Sequence, residues 1–170
     1  MHSIFSSKKL AIITLFGTLA FVSSGFLPSP IDKIVIGIQA LCFSLAALIV
    51  PKRGAIYASF VTGLLLSASR PAFFPFSILF SAFYGFLIDV SFHFFKVNDK
   101  KCVKPTRMIP LLTAVTGIIG VASMYFTTMM GMLPIIPIMY LAIIIVGCLN
   151  GVVAGFLTVK IWNKHLSNLL

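Results

Sequence analysis

Three polar residues inside long apolar stretches are the first candidates for chemistry. Asp89 and His93 lie four residues apart in one apolar stretch, and Asn150 lies in the last one. Four-residue spacing places the carboxylate and the imidazole on one face of a helix, where an amide from another helix could meet them. Such an intramembrane polar cluster could relay a proton or an ion, or it could be a hydrogen-bonded cluster that only joins helices.

A second group of candidates centres on Arg70, which separates two apolar stretches. A guanidinium beside aromatic rings suits a small planar anion or a carboxylate. The residues expected near it, from adjacent positions or from similar depth on later helices, are Ser67, Phe74, Ser77, Tyr125, Thr128 and Tyr140. Together they predict an outward-facing pocket for a small molecule. The alternative is that Arg70 extends to lipid headgroups and that the aromatic residues form an interfacial belt.

The signatures of the common catalytic sites are missing from the sequence. It contains neither the phosphate-binding pattern GxxxxGK[ST] nor the zinc pattern HExxH. Its acidic residues are Asp32, Asp89 and Asp99 alone, so a pair of carboxylates for acid–base hydrolysis is not supplied. The three cysteines show no metal-binding or redox spacing. The sequence therefore predicts no enzyme, no metal and no cofactor.

The composition indicates an integral membrane protein. Of the 170 residues, 59% are hydrophobic and only 9% are charged, whereas soluble domains carry about 25% charged residues. A net charge of +10 would suggest nucleic acid as the partner of a soluble protein. Here the basic residues lie between apolar stretches, so they indicate contact with a lipid bilayer and not with nucleic acid.

Six apolar stretches predict an all-α bundle of six transmembrane helices, forming a single domain over residues 1–170. A helix needs about 20 residues to cross the hydrocarbon layer. The fourth stretch, with its small and polar residues at four-residue spacing, is expected to lie at the centre of the bundle. The predicted spans are residues 10–27, 34–50, 54–69, 73–95, 108–130 and 133–161.

The basic residues predict the orientation of these helices. Eleven of the 13 fall before helices one, three and five or in the C-terminal tail, and the other side holds only Lys33 and Arg70. Basic segments stay in the cytoplasm, so we expect a multi-pass protein of the cell membrane with both termini inside. The eleven are Lys8, Lys9, Lys52, Arg53, Lys96, Lys100, Lys101, Lys104, Arg107, Lys160 and Lys164.

The first apolar stretch allows another interpretation. Lys8 and Lys9, the apolar residues after them and the small residues Ser23 and Ser24 also fit a signal peptide that is cleaved on export. A mature protein that starts near Gly25 would have five spans in place of six.

Small residues predict where helices approach closely. The last helix carries Gly147, Gly151 and Gly155 at four-residue spacing, and the first carries Gly17 and Ala20. In a membrane, such small residues let two backbones come together. They serve either the packing of the bundle or the docking of a partner subunit.

With these features the chain resembles the substrate-binding S components of energy-coupling factor transporters. The resemblance covers the length, the six helices, the cytoplasmic termini and the basic loop after helix four. Residues 54–90 look like the third and fourth helices of that family, including the Gly85-xxx-Asp89 pattern, and GCLNGVVAG at residues 147–155 looks like its last helix. The resemblance implies a vitamin-like ligand near the outer face, a transmembrane T subunit as a partner and two cytoplasmic ATPases.

The expected function is therefore capture of a small nutrient for ATP-driven uptake with partner subunits. Two alternatives remain open at the level of the sequence. One is a membrane scaffold or interaction subunit that transports nothing, and the other is a small secondary transporter that works alone.

Overall fold

The structure, a computed structural model, describes residues 7–27, 35–71, 74–97, 103–129, 131 and 136–167. In these residues the chain forms six α-helices and no strand, which confirms the predicted all-helical fold. A π-helical segment, Trp162–Leu166, continues the last helix. The helices are α1 (Ser7–Gly25), α2 (Ile36–Ile49), α3 (Gly54–Ser69), α4 (Phe76–Phe94), α5 (Pro105–Met129) and α6 (Pro137–Ile161).

Prolines mark where three of the helices begin. Pro75 directly precedes α4, and Pro105 and Pro137 are the first residues of α5 and α6. A proline fits the first helical position because the missing N–H would have no partner there and the fixed φ is already helical. Helix α5 therefore begins about one turn before residue 108, where its predicted span begins.

Four of the helices are long and apolar enough to cross a membrane: α1, α4, α5, and α6 with its π-helical extension. Helices α2 and α3 are apolar but have only 14 and 16 residues. At 1.5 Å per residue they are about 21 and 24 Å long, against about 30 Å of hydrocarbon. The structure is that of a membrane protein, and six complete spans stay a prediction.

Helix α2 lies at the centre of the bundle and contacts each of the other five helices. Every residue from Cys42 to Val50 is buried. The expectation that α4 would be central is wrong, since α4 exposes Leu79, Phe83 and Phe86 on its outer side. Because α2 is surrounded by protein, it need not match the thickness of the bilayer.

Glycines bring α1 and α4 close to α3. A Cβ atom on Gly17 of α1 would lie 2.6 Å from the Ala58 carbonyl oxygen of α3. A Cβ on Gly85 of α4 would lie 2.5 Å from the Ala55 carbonyl oxygen. Any side chain at these positions would push the backbones apart, so both contacts need glycine. Ala20, one turn beyond Gly17, is also fully buried.

The glycine row of α6 faces α5. Cβ atoms on Gly147, Gly151 and Gly155 would meet α5 at distances of 3.3, 2.3 and 2.8 Å. The order of the contacts, from Thr116 near Gly147 to Ile109 near Gly155, shows that the two helices are antiparallel. The row therefore packs within the bundle, and the described contacts leave it no role on an outer surface.

Hydroxyl groups join the helices across these contacts. Each donates to, or pairs with, a group on a neighbouring helix, which adds a modest stabilisation where no water competes. The pairs are Thr62 with the Gly17 carbonyl, Ser81 with the Ser59 carbonyl, Thr116 with the Gly147 carbonyl, and Ser44 with Thr158.

The helices alternate in direction, so one end of the bundle collects the start of α1, α3 and α5 and the end of α2, α4 and α6. We call it the basic end, because exposed lysines and arginines lie there, among them Lys8, Lys52, Arg53, Lys96 and Arg107. The other end, which holds Arg70, is called the opposite end.

Candidate functional site

Asp89 binds the start of a neighbouring helix. Its side chain is 3% exposed. One carboxylate oxygen accepts the backbone N–H of Ile56 at 2.9 Å and the other accepts the N–H of Ala55 at 3.4 Å. These N–H groups belong to the first turn of α3, where they lack partners within the helix. Helix α3 has no side-chain cap of its own, since Arg53 holds the capping position. Asp89 therefore caps α3 from α4, where the positive end of the helix dipole favours an anion.

The structure does not bring Asp89, His93 and Asn150 together, which corrects the predicted polar cluster. His93 is exposed at the basic end of α4. Asn150 lies against Gly37 in the first turn of α2, where a Cβ atom would be 2.9 Å from its side-chain oxygen. Asp89 binds the start of α3, which packs against Ala46 in the last turn of α2, so the two polar groups are separated by most of the length of that helix. The physical reason is depth, because Asn150 lies near the middle of α6, whereas Asp89 lies little more than one turn from the end of α4 at the basic end.

Arg70 binds the end of α1. Its guanidinium donates to the carbonyl oxygens of Ser24, at 3.3 Å, and of Leu27. Carbonyls in the last turn of a helix lack partners, and the negative end of the helix dipole favours a cation there. Arg70 follows the last residue of α3, so it connects the ends of α1 and α3 at the opposite end of the bundle.

Gln39 is a polar residue that the sequence interpretation passed over. Its amide nitrogen donates to the Ser24 hydroxyl at 2.6 Å, which ties α2 to the same turn of α1 that Arg70 binds. The signal was present in the sequence, because Gln39 is an amide inside an apolar stretch, as Asn150 is. Ser24 thus receives two hydrogen bonds, one on its hydroxyl from Gln39 of α2 and one on its carbonyl from Arg70 after α3.

Three of the predicted pocket residues are exposed or bonded within their own helix. Ser67 donates to the Leu64 carbonyl of its own helix, and Phe74 is 61% exposed. Tyr125 is 55% exposed on the outside of α5. Ser77 is half-buried on α4 and has its own interaction partner.

Two of the predicted residues do meet. The Thr128 hydroxyl of α5 lies 2.7 Å from the Tyr140 hydroxyl of α6. Thr128 also donates to the Tyr125 carbonyl at 2.8 Å, so its proton is used and Tyr140 is the donor in the pair. This contact holds the last turn of α5 against the first turn of α6.

Aromatic rings join the same part of α5 to α4. The centroid of Phe126 lies 4.9 Å from that of Phe76 and 5.2 Å from that of Phe80, with tilted planes that are typical of attractive ring contacts. The last turn of α5 therefore touches α4 through Phe126 and α6 through Thr128. We call Phe76, Phe80, Phe126, Thr128 and Tyr140 the outer cluster, a label for their place at the opposite end of the bundle.

Buried hydroxyls line α5 beside the outer cluster. Ser123 and Thr127 are buried at four-residue spacing, and each donates to a carbonyl of its own helix, those of Gly120 and Ser123. Ser123 was missed in the sequence, although hydroxyls that recur every four residues in an apolar helix indicate a buried polar face.

Tyr84 lies one turn deeper than Phe80 on α4. The ring packs edge-on against Phe43 of the central helix, with centroids 5.3 Å apart. Its side chain is 3% exposed, and its hydroxyl has no hydrogen-bond partner in the part of the chain that the structure describes. A buried hydroxyl in this state normally binds a water molecule or a ligand, because leaving it unsatisfied costs free energy.

Among the described residues, no three histidine, cysteine or acidic side chains gather where they could hold a metal ion. Comparisons of the chain with protein-family models, with curated proteins and with solved structures give no match. The outer cluster is therefore the candidate site on its geometry alone.

Proposed function

We propose that the chain is a multi-pass protein of the cell membrane with both termini in the cytoplasm. The support is the basic end, which holds basic residues from every segment that the charge rule assigns to the inside. We count α2 and α3 as transmembrane spans, which gives six spans in all. Helix α2 is covered by protein, and a short or interrupted helix is tolerated at membrane depth where protein covers its ends.

Cys102 offers a direct test of this orientation. It follows α4 and precedes α5 in the sequence, whereas Cys42 is buried in α2 and Cys148 lies within α6. In a variant with Cys42→Ala and Cys148→Ala, a membrane-impermeant maleimide should label Cys102 only after the cells are opened. Labelling of intact cells would reverse the proposed orientation.

We further propose that the outer cluster contributes to capture of a small, vitamin-like nutrient, as the S components of energy-coupling factor transporters do. The observation that carries this is the meeting of three phenyl rings with a hydroxyl pair at the outer end of α5. Sites for small molecules combine apolar and aromatic walls with a few fixed polar groups. On this proposal a T subunit and two cytoplasmic ATPases supply the energy for uptake.

The hydrogen bonds at the site favour one chemical class of solute. The protons of Ser123, Thr127 and Thr128 are donated to carbonyls of α5. Their remaining capacity is to accept hydrogen bonds. Aromatic rings and acceptors suit a planar, uncharged heterocycle that carries N–H or O–H donors. The predicted anion at Arg70 is less favoured, since that guanidinium already binds the carbonyls of Ser24 and Leu27.

The capping role of Asp89 bears on the alternative of a solitary transporter driven by an ion gradient. Such a transporter needs a titratable group that gains and loses its ion during the cycle. Asp89, the only acidic residue that the structure describes, holds two backbone N–H groups of α3 instead. A capture subunit that depends on partners is therefore the better proposal.

The test of capture begins with native mass spectrometry of gently purified protein, which identifies any solute that co-purifies. Titration of that solute should show Phe80→Ala binding about tenfold more weakly, since one aromatic contact contributes about 1.4 kcal/mol. Phe83→Ala is the matched control, because Phe83 lies on the same helix but is 47% exposed. Equal binding by wild type and Phe80→Ala would reject the outer cluster as the site.

A further inference from the structure

A group of cations and rings lies at the basic end where α2, α3 and α4 meet. Lys52 and Arg53 are exposed in the turn between α2 and α3, and Lys96 is exposed just after α4. Phe94 and Phe95, which precede Lys96, are 79% and 57% exposed. We call these five residues the basic corner. The only acidic residue described in the structure is Asp89, which is buried, so no described carboxylate lies among these cations.

Both lysines of the basic corner have a backbone conformation that favours glycine. The φ angle is 78° at Lys52 and 49° at Lys96. Lys96 is the second residue after the last of α4, where helices commonly end with a glycine in the left-handed region. A lysine pays a steric cost there that glycine does not. Two lysines in such positions indicate that their side chains contribute something that glycine cannot, and a conformational outlier is a sound starting point for a functional inference.

The geometry of α3 and α4 places these lysines on the same side. Helices α3 and α4 are antiparallel, since Gly63 meets Ile78 while Gly85 meets Ala55. The bond from Ile56 to Asp89 gives the register. Lys52 precedes Ile56 by four residues, and Lys96 follows Asp89 by seven. Because the two helices are antiparallel, both lysines lie beyond this bond in the same direction, at the surface of the basic end.

We propose that the basic corner binds the headgroup of an anionic phospholipid, with its phosphate between Lys52 and Lys96 and its glycerol and upper acyl region against Phe94 and Phe95. The combination is what selects a lipid. Lysine and arginine side chains attract the phosphate, and two exposed phenyl rings directly beside them suit the apolar part of the same molecule. A free phosphate or a purely acidic protein surface would use the cations and leave the rings exposed. The proposed orientation decides only which leaflet supplies the lipid, and this part of the inference rests on it. Labelling of Cys102 tests the orientation separately.

The experiment measures lipid binding to the purified full-length chain in detergent, by native mass spectrometry with phosphatidylglycerol and with phosphatidylcholine of the same acyl chains. The test variant is Lys52→Gly with Lys96→Gly, which removes two charges and relieves both φ angles. The charge control is Lys52→Arg with Lys96→Arg. The position control is Lys160→Gln with Lys164→Gln, which removes two exposed charges from the end of α6 and the segment after it.

We expect the glycine variant to bind phosphatidylglycerol roughly 10- to 30-fold more weakly, since each cation near an anionic lipid surface contributes about fivefold. Both controls should bind phosphatidylglycerol as the wild type does. All of the proteins should bind phosphatidylcholine equally. The thermal midpoint of the glycine variant, measured without anionic lipid, should be equal to or above that of the wild type. This shows that lost binding is not lost folding.

Several results would overturn the proposal. Unchanged binding by the glycine variant would remove the lysines from the site, and equal weakening in the position control would show general charge attraction. Competition by inorganic phosphate at the same concentration as the lipid would show that the rings play no part. If the glycine variant kept the lipid but lost an acidic protein that co-purifies with the wild type, the basic corner would be a protein interface.

Discussion

The carboxylate of Asp89 lies 2.9 Å from the backbone nitrogen of Ile56, so a side chain of α4 caps the first turn of α3. At the opposite end of the bundle, the Arg70 guanidinium binds the carbonyls of Ser24, in the last turn of α1, and of Leu27, just after it. Each charge thus meets the end of a neighbouring helix whose dipole has the opposite sign. In an apolar environment these contacts give the two charges the partners that water would otherwise provide.

Replacing Asp89 should destabilise the fold. Asp89→Ala leaves two N–H groups in the first turn of α3 without acceptors, which should lower the free energy of unfolding by about 2–4 kcal/mol. Asp89→Asn keeps one oxygen as an acceptor and should cost less. Thermal unfolding of purified protein in detergent measures both, with His93→Ala on the same helix as an exposed control. If Asp89→Ala unfolded at the same temperature as the wild-type protein, the capping role would be wrong.

Arg70 should stabilise the end of α1. In Arg70→Gln the carbonyls of Ser24 and Leu27 lose a charged donor, which should cost about 1–2 kcal/mol. Hydrogen–deuterium exchange should show faster exchange in the last turn of α1 and unchanged exchange in α6. Ser69→Ala is the control, since Ser69 is exposed and its hydroxyl donates within its own helix. Faster exchange across the whole chain would contradict a local role.

Gly151 should tolerate no side chain. In Gly151→Ala the added Cβ would lie 2.3 Å from the Thr116 hydroxyl oxygen and 2.4 Å from the Thr113 Cα. Because the clash involves backbone, α5 and α6 must separate, and the loss should be about 2 kcal/mol or more. Gly117→Ala is the matched control, since its Cβ would lie 3.6 Å from the Cys148 sulfur, an ordinary contact. Equal melting of the two variants would exclude close packing at Gly151.

The helices could be predicted from the sequence, but their arrangement could not. Apolar stretches and prolines are local features, and they predicted six helices. The central position of α2 was missed because a leucine that faces the protein core and a leucine that faces lipid are equally apolar. The hydrophobicity of a membrane helix therefore does not show which side faces the core. The usable signal was the density of small residues in α2, which includes Ala40, Ser44, Ala46 and Ala47.

The candidate site was predictable in part. Thr128 and Tyr140 were expected at similar depth and are in contact. The partner of Asp89 was missed because a cap supplied by another helix leaves no local motif. What the sequence did contain was its complement, a helix start at Arg53-Gly54 with no capping side chain. The start of α3 lacks a capping side chain because Asp89 supplies the cap, and Asp89 is tolerated inside the membrane because it binds this helix start.

The central claim is that the chain captures a solute for a transporter driven by partner subunits. The most direct measurement is quantitative mass spectrometry of the tagged chain, purified in mild detergent from its native membranes. The account predicts a second integral membrane protein and two ATPases in fixed proportion to the chain. Recovery of the chain alone, or with partners that hydrolyse no nucleotide, would contradict it.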